Sequence, residues 1–172
     1  LTLVTAISCI LLTGCGFQPR YTANPIPHGT VFYIQSSSIT TAVKQQLDSA
    51  KIQTTNDKNK ADIIITFPKV AFSSTSTTLI SSTNALNNLH SLTVSMVLTD
   101  TQNNTISPTE TLTAYRSQLQ NSSQINLTAN AQLYTDELTR DAAQRIYYWL
   151  TSQATLTLIN HHPTDTKKHA DT

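Results

Sequence analysis

The chain has 172 residues, 38% of them hydrophobic and only 12% charged, and its eleven basic and ten acidic side chains leave a net charge of +1. That length suits one domain with its own core, and so small a net charge gives no field to gather phosphates along a nucleic acid. Three glycines in all offer little backbone free of Cβ atoms to cradle a nucleotide, and Ser, Thr, Asn and Gln replace charge on the surface.

The first element is the apolar run "LTLVTAISCILL", Leu1 to Leu12. It has about the length of a signal-peptide apolar region and falls short of the ~20 residues that span a bilayer. It opens on Leu with no basic residue before it, so the true start is expected to be clipped or different. The run closes on "LTGC", which resembles the lipobox of bacterial lipoproteins. Residues 1–14 are therefore expected to be removed as a signal peptide, leaving Cys15 as the acylated first residue of the mature chain. The alternative is a buried N-terminal helix with Cys9 and Cys15 as inert core thiols. Cleavage would remove Cys9 and leave Cys15 no disulfide partner in an oxidising compartment; acylation would consume that thiol. One acyl chain anchors reversibly, whereas two or more hold firmly. Gly16 after the Cys resembles the pattern sent on to the outer membrane.

Residues 15–29 read as a tether, with Pro25 and Pro27 favouring extended backbone. "TVFYIQ", Thr30 to Gln35, reads as a strand of β-branched and aromatic residues. Ser38 is the expected N-cap of a helix to about Lys51, with Ile39, Val43, Leu47 and Ala50 on one stripe and Lys44, Gln45 and Asp48 on the other side. After the polar loop "TTNDKNK", the segment "ADIIITFPKVAF" reads as a long strand with a bulge or edge at Pro68. In "LTVSMVLTD" the alternation of Leu92, Val94, Met96 and Leu98 with Thr93, Ser95, Val97 and Thr99 gives one core face and one hydroxylated face. The turn "TQNN" and the strand "TETLTAYRSQL" complete an antiparallel meander. From Asn126 to about Gln153, Leu127, Ala131, Tyr134, Leu138, Ala142, Ile146 and Trp149 form a helical stripe of about seven turns. Tyr147, Tyr148 and Trp149 read as core packing in preference to a ligand box.

The expected fold is α+β, a two-layer α/β sandwich with two helices on one face of a roughly four-stranded mixed sheet in the order β-α-β-β-β-α. Residues 30–155 form the single domain, and 156–172 are expected to be a disordered tail. Its His161, His162 and His169 lack the supporting shell a fixed metal site needs, so neither metal nor cofactor is expected.

Lipobox and "CGFQPRY", this order of elements, and "AYRSQL" leading into "YTDELTRDAAQRIYYWL" together resemble the lipopolysaccharide-assembly lipoprotein family, LptE. The matching positions are Gly16, Phe17 and Arg20 after the lipid Cys, Tyr115 and Arg116 closing the last strand, and Glu137, Leu138, Asp141, Ala142 and Ala143 in the last helix. The resemblance reaches to about Ser152. It implies a plug and assembly factor inside an outer-membrane lipopolysaccharide translocon β-barrel of the LptD type. The chain would be held by acyl chains in the inner leaflet of a Gram-negative outer membrane, on its periplasmic side, with lipopolysaccharide as a further partner. A neutral, hydroxyl-rich surface suits a polar lumen, because few charges are desolvated there. The resemblance implies that the long loop "SSTSTTLISSTNALNN", Ser73 to Asn88, points into the barrel with Leu79, Ile80 and Leu86 as contacts. An ordinary low-complexity loop is the alternative. This tip carries no Lys or Arg, so the nearest candidates to meet lipid phosphates are Lys69, His90 and Arg116. Arg116 has an alternative role in pairing with Glu110 or a neighbouring carboxylate.

No catalytic constellation is present: there is no H-E-x-x-H or G-x-S-x-G, and nothing couples His28 or His90 to a particular Ser. Asp136 and Glu137, adjacent on a helix, point to different sides and cannot share a proton. The competing function, from a different class, is a freestanding periplasm-facing lipoprotein that activates a cell-wall synthase or binds a small ligand.

Overall fold

A computed structural model describes residues 26–27, 29–79, 85–120 and 127–162. The apolar run expected to be a signal peptide, Cys15 with its neighbours, Ile80, and the chain beyond residue 162 lie outside the described residues. Five strands, β1 (Val31–Ile34), β2 (Gln53–Thr55), β3 (Ile63–Leu79), β4 (Ala85–Thr99) and β5 (Glu110–Gln120), form one mixed sheet in the order β2-β1-β3-β4-β5. β1 runs parallel to both its neighbours, and β3, β4 and β5 are an antiparallel meander. Three α-helices among the described residues, α1 (Thr40–Ser49), α2 (Leu127–Leu150) and α3 (Gln153–His161), pack with the sheet. The class is the expected α+β, with helices packed against a mixed sheet.

The sequence patterns act as expected in the centre of the molecule. Leu92, Val94, Met96 and Leu98 are at most 1% exposed, and they meet Ile39, Val43 and Leu47 from α1 and Leu138, Ala142, Ile146 and Leu150 from α2 in one core. Each of the larger of these side chains, Ala142 aside, contributes on the order of 1.5–3 kcal/mol by leaving water. Pro68 sits at the expected bulge: the β3/β4 register shifts between Thr66 and Lys69, so that Phe67 and Pro68 together oppose Met96. A residue without an N–H is harmless there, since β1 pairs with β3 only at Ile63 to Ile65.

Four boundaries differ from the sequence reading. α1 is not capped by Ser38. Its N-cap is Ile39, and the turn is closed by Thr40, whose hydroxyl accepts from the Ser37 N–H at 2.8 Å and donates to the Gln35 carbonyl at 2.9 Å. The polar stretch after α1 begins with a short strand, because Ile52 is buried and pulls Gln53 to Thr55 into register with β1. That turn has the Schellman pattern, with Ile52 N–H on the Leu47 carbonyl and Lys51 N–H on the Asp48 carbonyl. It places Lys51 at φ 59°.

The third difference is the supposed loop from Ser73 to Asn88, most of which is strand. β3 continues to Leu79 and β4 starts at Ala85, since a Ser/Thr-rich run pairs readily when a register is already set by the strands below it. Fourth, the domain does not stop at residue 155. α2 ends at Leu150, where the Thr151 hydroxyl donates to the Tyr147 carbonyl. Ser152 then caps α3 by accepting from the Thr155 N–H. Residues 156–161 are helical, with Leu156 and Ile159 buried against the core, so they belong to the folded domain and not to the expected tail. The two apolar residues of that stripe are too few among Thr, Asn and His to declare a helix by themselves.

Candidate partner-binding site

The upper half of the meander offers the most distinctive surface among the described residues. In antiparallel pairing, opposite residues share a face. One face carries the cross-strand rows Phe72/Leu92/Ala114, Ser74/His90/Arg116 and Ser76/Asn88/Gln118, and continues the core side of the sheet. The other carries Lys69/Ser95/Thr111, Ala71/Thr93/Thr113, Ser73/Ser91/Tyr115 and Thr75/Leu89/Ser117. That second face is hydroxyl-rich, with Ser95 Oγ and Thr111 Oγ1 2.9 Å apart and the Thr93 and Thr113 hydroxyls at 3.3 Å. Set into it are Tyr115, 55% exposed, and Leu89, 42% exposed.

The structure separates the three residues expected to contact lipid phosphates. His90 and Arg116 are cross-strand partners. Lys69 sits at the bulge and shares the opposite face with Ser95, so it does not converge with them. Leu79 and Leu86 occupy the ends of β3 and β4, opposite Ala85 and Thr78 respectively, and Ile80 lies outside the described residues.

Arg116 is engaged by α2. Its Nε lies 3.5 Å from Glu137 Oε2 and its Nη1 3.5 Å from Asp141 Oδ2, while Nη1 also donates to the Tyr115 carbonyl at 2.9 Å. Asp141 is held a second time by Arg145 at 3.2 Å, one helical turn on. The alternative role for Arg116 is thus realised with neighbouring carboxylates, and Glu110 is not one of them. Six residues along an extended strand place it about 20 Å away. The Tyr-Arg pair and the E-L-x-x-D-A-A run are therefore two halves of one latch between β5 and α2: Glu137 and Asp141 reach the strand while Leu138, Ala142 and Ala143 are buried beside them. Their i, i+4 spacing was visible in the sequence, but not which strand they would meet.

His90 stacks on Tyr134 of α2, with ring centroids 4.7 Å apart and planes 8° from parallel. Its Nε2 is buried and makes no hydrogen bond to the described residues. Beside it, Ser76 donates to Asn88, which is 8% exposed.

A clasp at the opposite end of the sheet went unread. Asp100 accepts from the N–H groups of Gln102 and Asn104 and from the Asn104 side chain, each at 2.7–2.8 Å. It also lies 3.5 Å from His162 Nε2 just beyond α3. Burial pushes the Asp100 carboxyl up, but the Asn104 and Gln102 hydrogen bonds and the His162 charge together outweigh it and hold it below its ordinary value. The turn brings Asn103 to φ 65°, a left-handed conformation that Asn tolerates.

Among the described residues, no group of His, Cys, Asp and Glu side chains could hold a metal ion, and no helix is long and apolar enough to cross a membrane.

No protein-family model matches the chain, and no curated protein is significantly similar to it. Solved structures with the same fold do exist. The rare lipoprotein B of Shewanella oneidensis superposes with a TM-score of 0.60 at 12% identity, over 77% of this chain and 100% of that one. An uncharacterized lipoprotein B of Nitrosomonas europaea gives 0.57 at 15% identity, over 77% and 89%. A minor lipoprotein of Acinetobacter baumannii gives 0.53 at 23% identity, over 71% and 92%. At these identities the likeness is one of fold, and the fold is one found in bacterial lipoproteins.

Proposed function

We propose that the chain is an outer-membrane lipoprotein that plugs, and helps to assemble, the β-barrel that inserts lipopolysaccharide into the outer leaflet. The observation that carries this reading is the fold shared with the rare lipoprotein B over that protein's whole length. It is joined to a sequence whose "LTGC" step supplies an anchor at Cys15 and whose Arg116, Glu137 and Asp141 match the assembly-lipoprotein pattern. Acylation of Cys15 would hold the domain in the inner leaflet, beneath the mouth of a barrel.

The surface chemistry agrees. A barrel lumen is polar, so a plug gains by presenting hydroxyls that pair with lumen side chains and loses by presenting charges that must be desolvated. The uncovered sheet face carries eight Ser and Thr side chains in the rows above and a single charge, Lys69. Tyr115 and Leu89 supply apolar contact area at its centre. Lipopolysaccharide contact that accompanies plugging would fall to Lys69, the one charged residue in the rows of that face.

Affinity purification of the acylated protein in detergent tests the proposal: a barrel recovered in near-equimolar amount supports it, and repeated absence of one removes it. Depletion should leave misassembled barrel and lipopolysaccharide stalled short of the surface. Cys15→Ala is the separate test of the anchor, with loss of membrane retention and of the acyl mass expected together.

A further inference from the structure

We propose that the outer edge of β5 pairs with the same edge of a second copy of this chain, antiparallel and centred on Thr113, to give one continuous sheet across the dimer. β5 is the last strand of the sheet, bonded only to β4, and nothing among the described residues pairs with its outer side. An open edge is normally guarded by shortness, by Pro or charged side chains, Lys above all, or by a bulge. The opposite edge is guarded in part: β2 is three residues long, and the free length of β3 opens on the bulge with Pro68 and Lys69 before running on from Val70 to Leu79 without either. β5 presents eleven residues, ETLTAYRSQLQ, with neither Pro nor Lys, and its two charged residues, Glu110 and Arg116, are of opposite sign.

The sequence of β5 is complementary to itself in one register. A two-fold axis normal to the sheet keeps paired residues on the same face, so allowed pairings have residue numbers with an even sum. Centring the axis on Thr113 sets Glu110 against the second copy's Arg116, Thr111 against its Tyr115 and Leu112 against its Ala114, with Thr113 against its own image. Every pair off the axis then occurs twice. Each belongs to a favourable class of cross-strand contact: opposite charges, aromatic on β-branched, apolar on apolar, hydroxyl on hydroxyl. Moving the axis one residue on, to Ala114, puts Leu112 against Arg116 and Glu110 against Gln118. Moving it to Tyr115 puts Ala114 against Arg116. Neither alternative gives Glu110 an opposite charge.

The monomer is prepared for this register. Glu110 is exposed and forms no ion pair within the described residues, and it is too far along its own strand to reach Arg116. Tyr115 is the most exposed of the large hydrophobic side chains among the described residues, at 55%, and the pairing covers it. The Arg116 side chain, held to α2 by Nε and Nη1, keeps 41% of its surface open to the incoming carboxylate. The pairing concerns the chain outside a barrel and stands or falls independently of the plug reading.

Sedimentation of the full chain over a concentration series, beside Glu110→Lys, decides the matter. A reversible dimer is expected, weakened about tenfold or more by Glu110→Lys, because two symmetry-related pairs turn from attraction to repulsion; the melting temperature of the monomer should be unchanged. Thr113→Cys, in a chain with Cys9→Ser and Cys15→Ser, reads the register directly. Opposite Cα atoms in an antiparallel pair, about 4.5–5.5 Å apart, lie within disulfide reach, so a cross-linked dimer should form on oxidation. A chain that stays monomeric throughout, or a dimer indifferent to Glu110→Lys, overturns the proposal. So does an open-ended series of oligomers, which would assign the β5 edge to the free edge of β3 on the next copy. Should Thr113→Cys fail to fold, the sedimentation comparison alone settles the outcome.

Discussion

Along β4, Leu92, Val94, Met96 and Leu98 are sealed beneath the helices, whereas Leu89, on the opposite face of the sheet, is 42% exposed and its register partner Thr75 is exposed as well. The covered half of the meander's surface is shaped by burial and holds the fold together. The other half has the same backbone pairing but little apolar cover, so its side chains are available to a partner. Hydrogen-bonded pairing sets the shape of both halves, and packing decides which half is stable by itself.

The harshest test of that contrast is a cavity in the sealed half. Leu92→Ala should cost about 2–5 kcal/mol in a denaturant titration. If it costs no more than a substitution at Leu89, the division between the halves is wrong. A change of opposite sign is expected at the α1 exit. Lys51→Gly relieves a left-handed backbone position and should raise stability by about 1 kcal/mol, read as a higher melting temperature.

Arg116→Ala cuts the latch between β5 and α2, at the boundary of sheet and helix. With the guanidinium 41% exposed, the loss should be no more than about 1 kcal/mol. Hydrogen exchange should rise in β5 and in the turn of α2 around Glu137 more than in β1, which locates the weakness at the boundary.

Acid should act at the sealed end through Asp100. Its folded carboxyl sits below the ordinary value of 3.8, so its contribution is fully present above that range and is lost as pH falls through the lowered folded value. Asp100→Asn should remove that part of the acid dependence and loosen the attachment of α3, visible as reduced protection near Ile159. The smallest stability effect belongs to the open half. Leu89→Ser should leave the unfolding midpoint within about 0.5 kcal/mol of the parent while lowering recovery of a barrel in the detergent purification. A large loss of stability with unchanged recovery would reverse the roles assigned to the two halves.

Four of the five strands, both long helices and the Pro68 bulge were readable because each is written in local periodicity or in a missing N–H. The alternation in "LTVSMVLTD" requires a half-buried strand wherever it is placed, and the stripe from Leu138 to Ile146 requires a buried helix face. Three features could not be read that way. β2 exists because Ile52 needs a core to enter. α3 exists because two apolar residues, Leu156 and Ile159, find a place in the core. The long hairpin is extended because the register below it was already fixed.

The site was legible as residue types and not as an arrangement. Tyr115, Arg116, Glu137 and Asp141 stood out in the sequence, yet Arg116 had several carboxylates to choose from. Chain folding excluded Glu110 by distance along the strand and delivered Glu137 and Asp141 across the sheet. By itself, then, the sequence determined the α+β class, the neutral hydroxyl-rich exterior and the apolar faces, because these follow from composition and from periods of two and 3.6 residues. Tertiary structure alone decided that Lys69 stands on the opposite face from His90 and Arg116, that the Ser/Thr run is strand, and that β5 ends the sheet. Facing and edge position depend on which strands pair, and pairing is fixed by contacts between residues far apart in the chain.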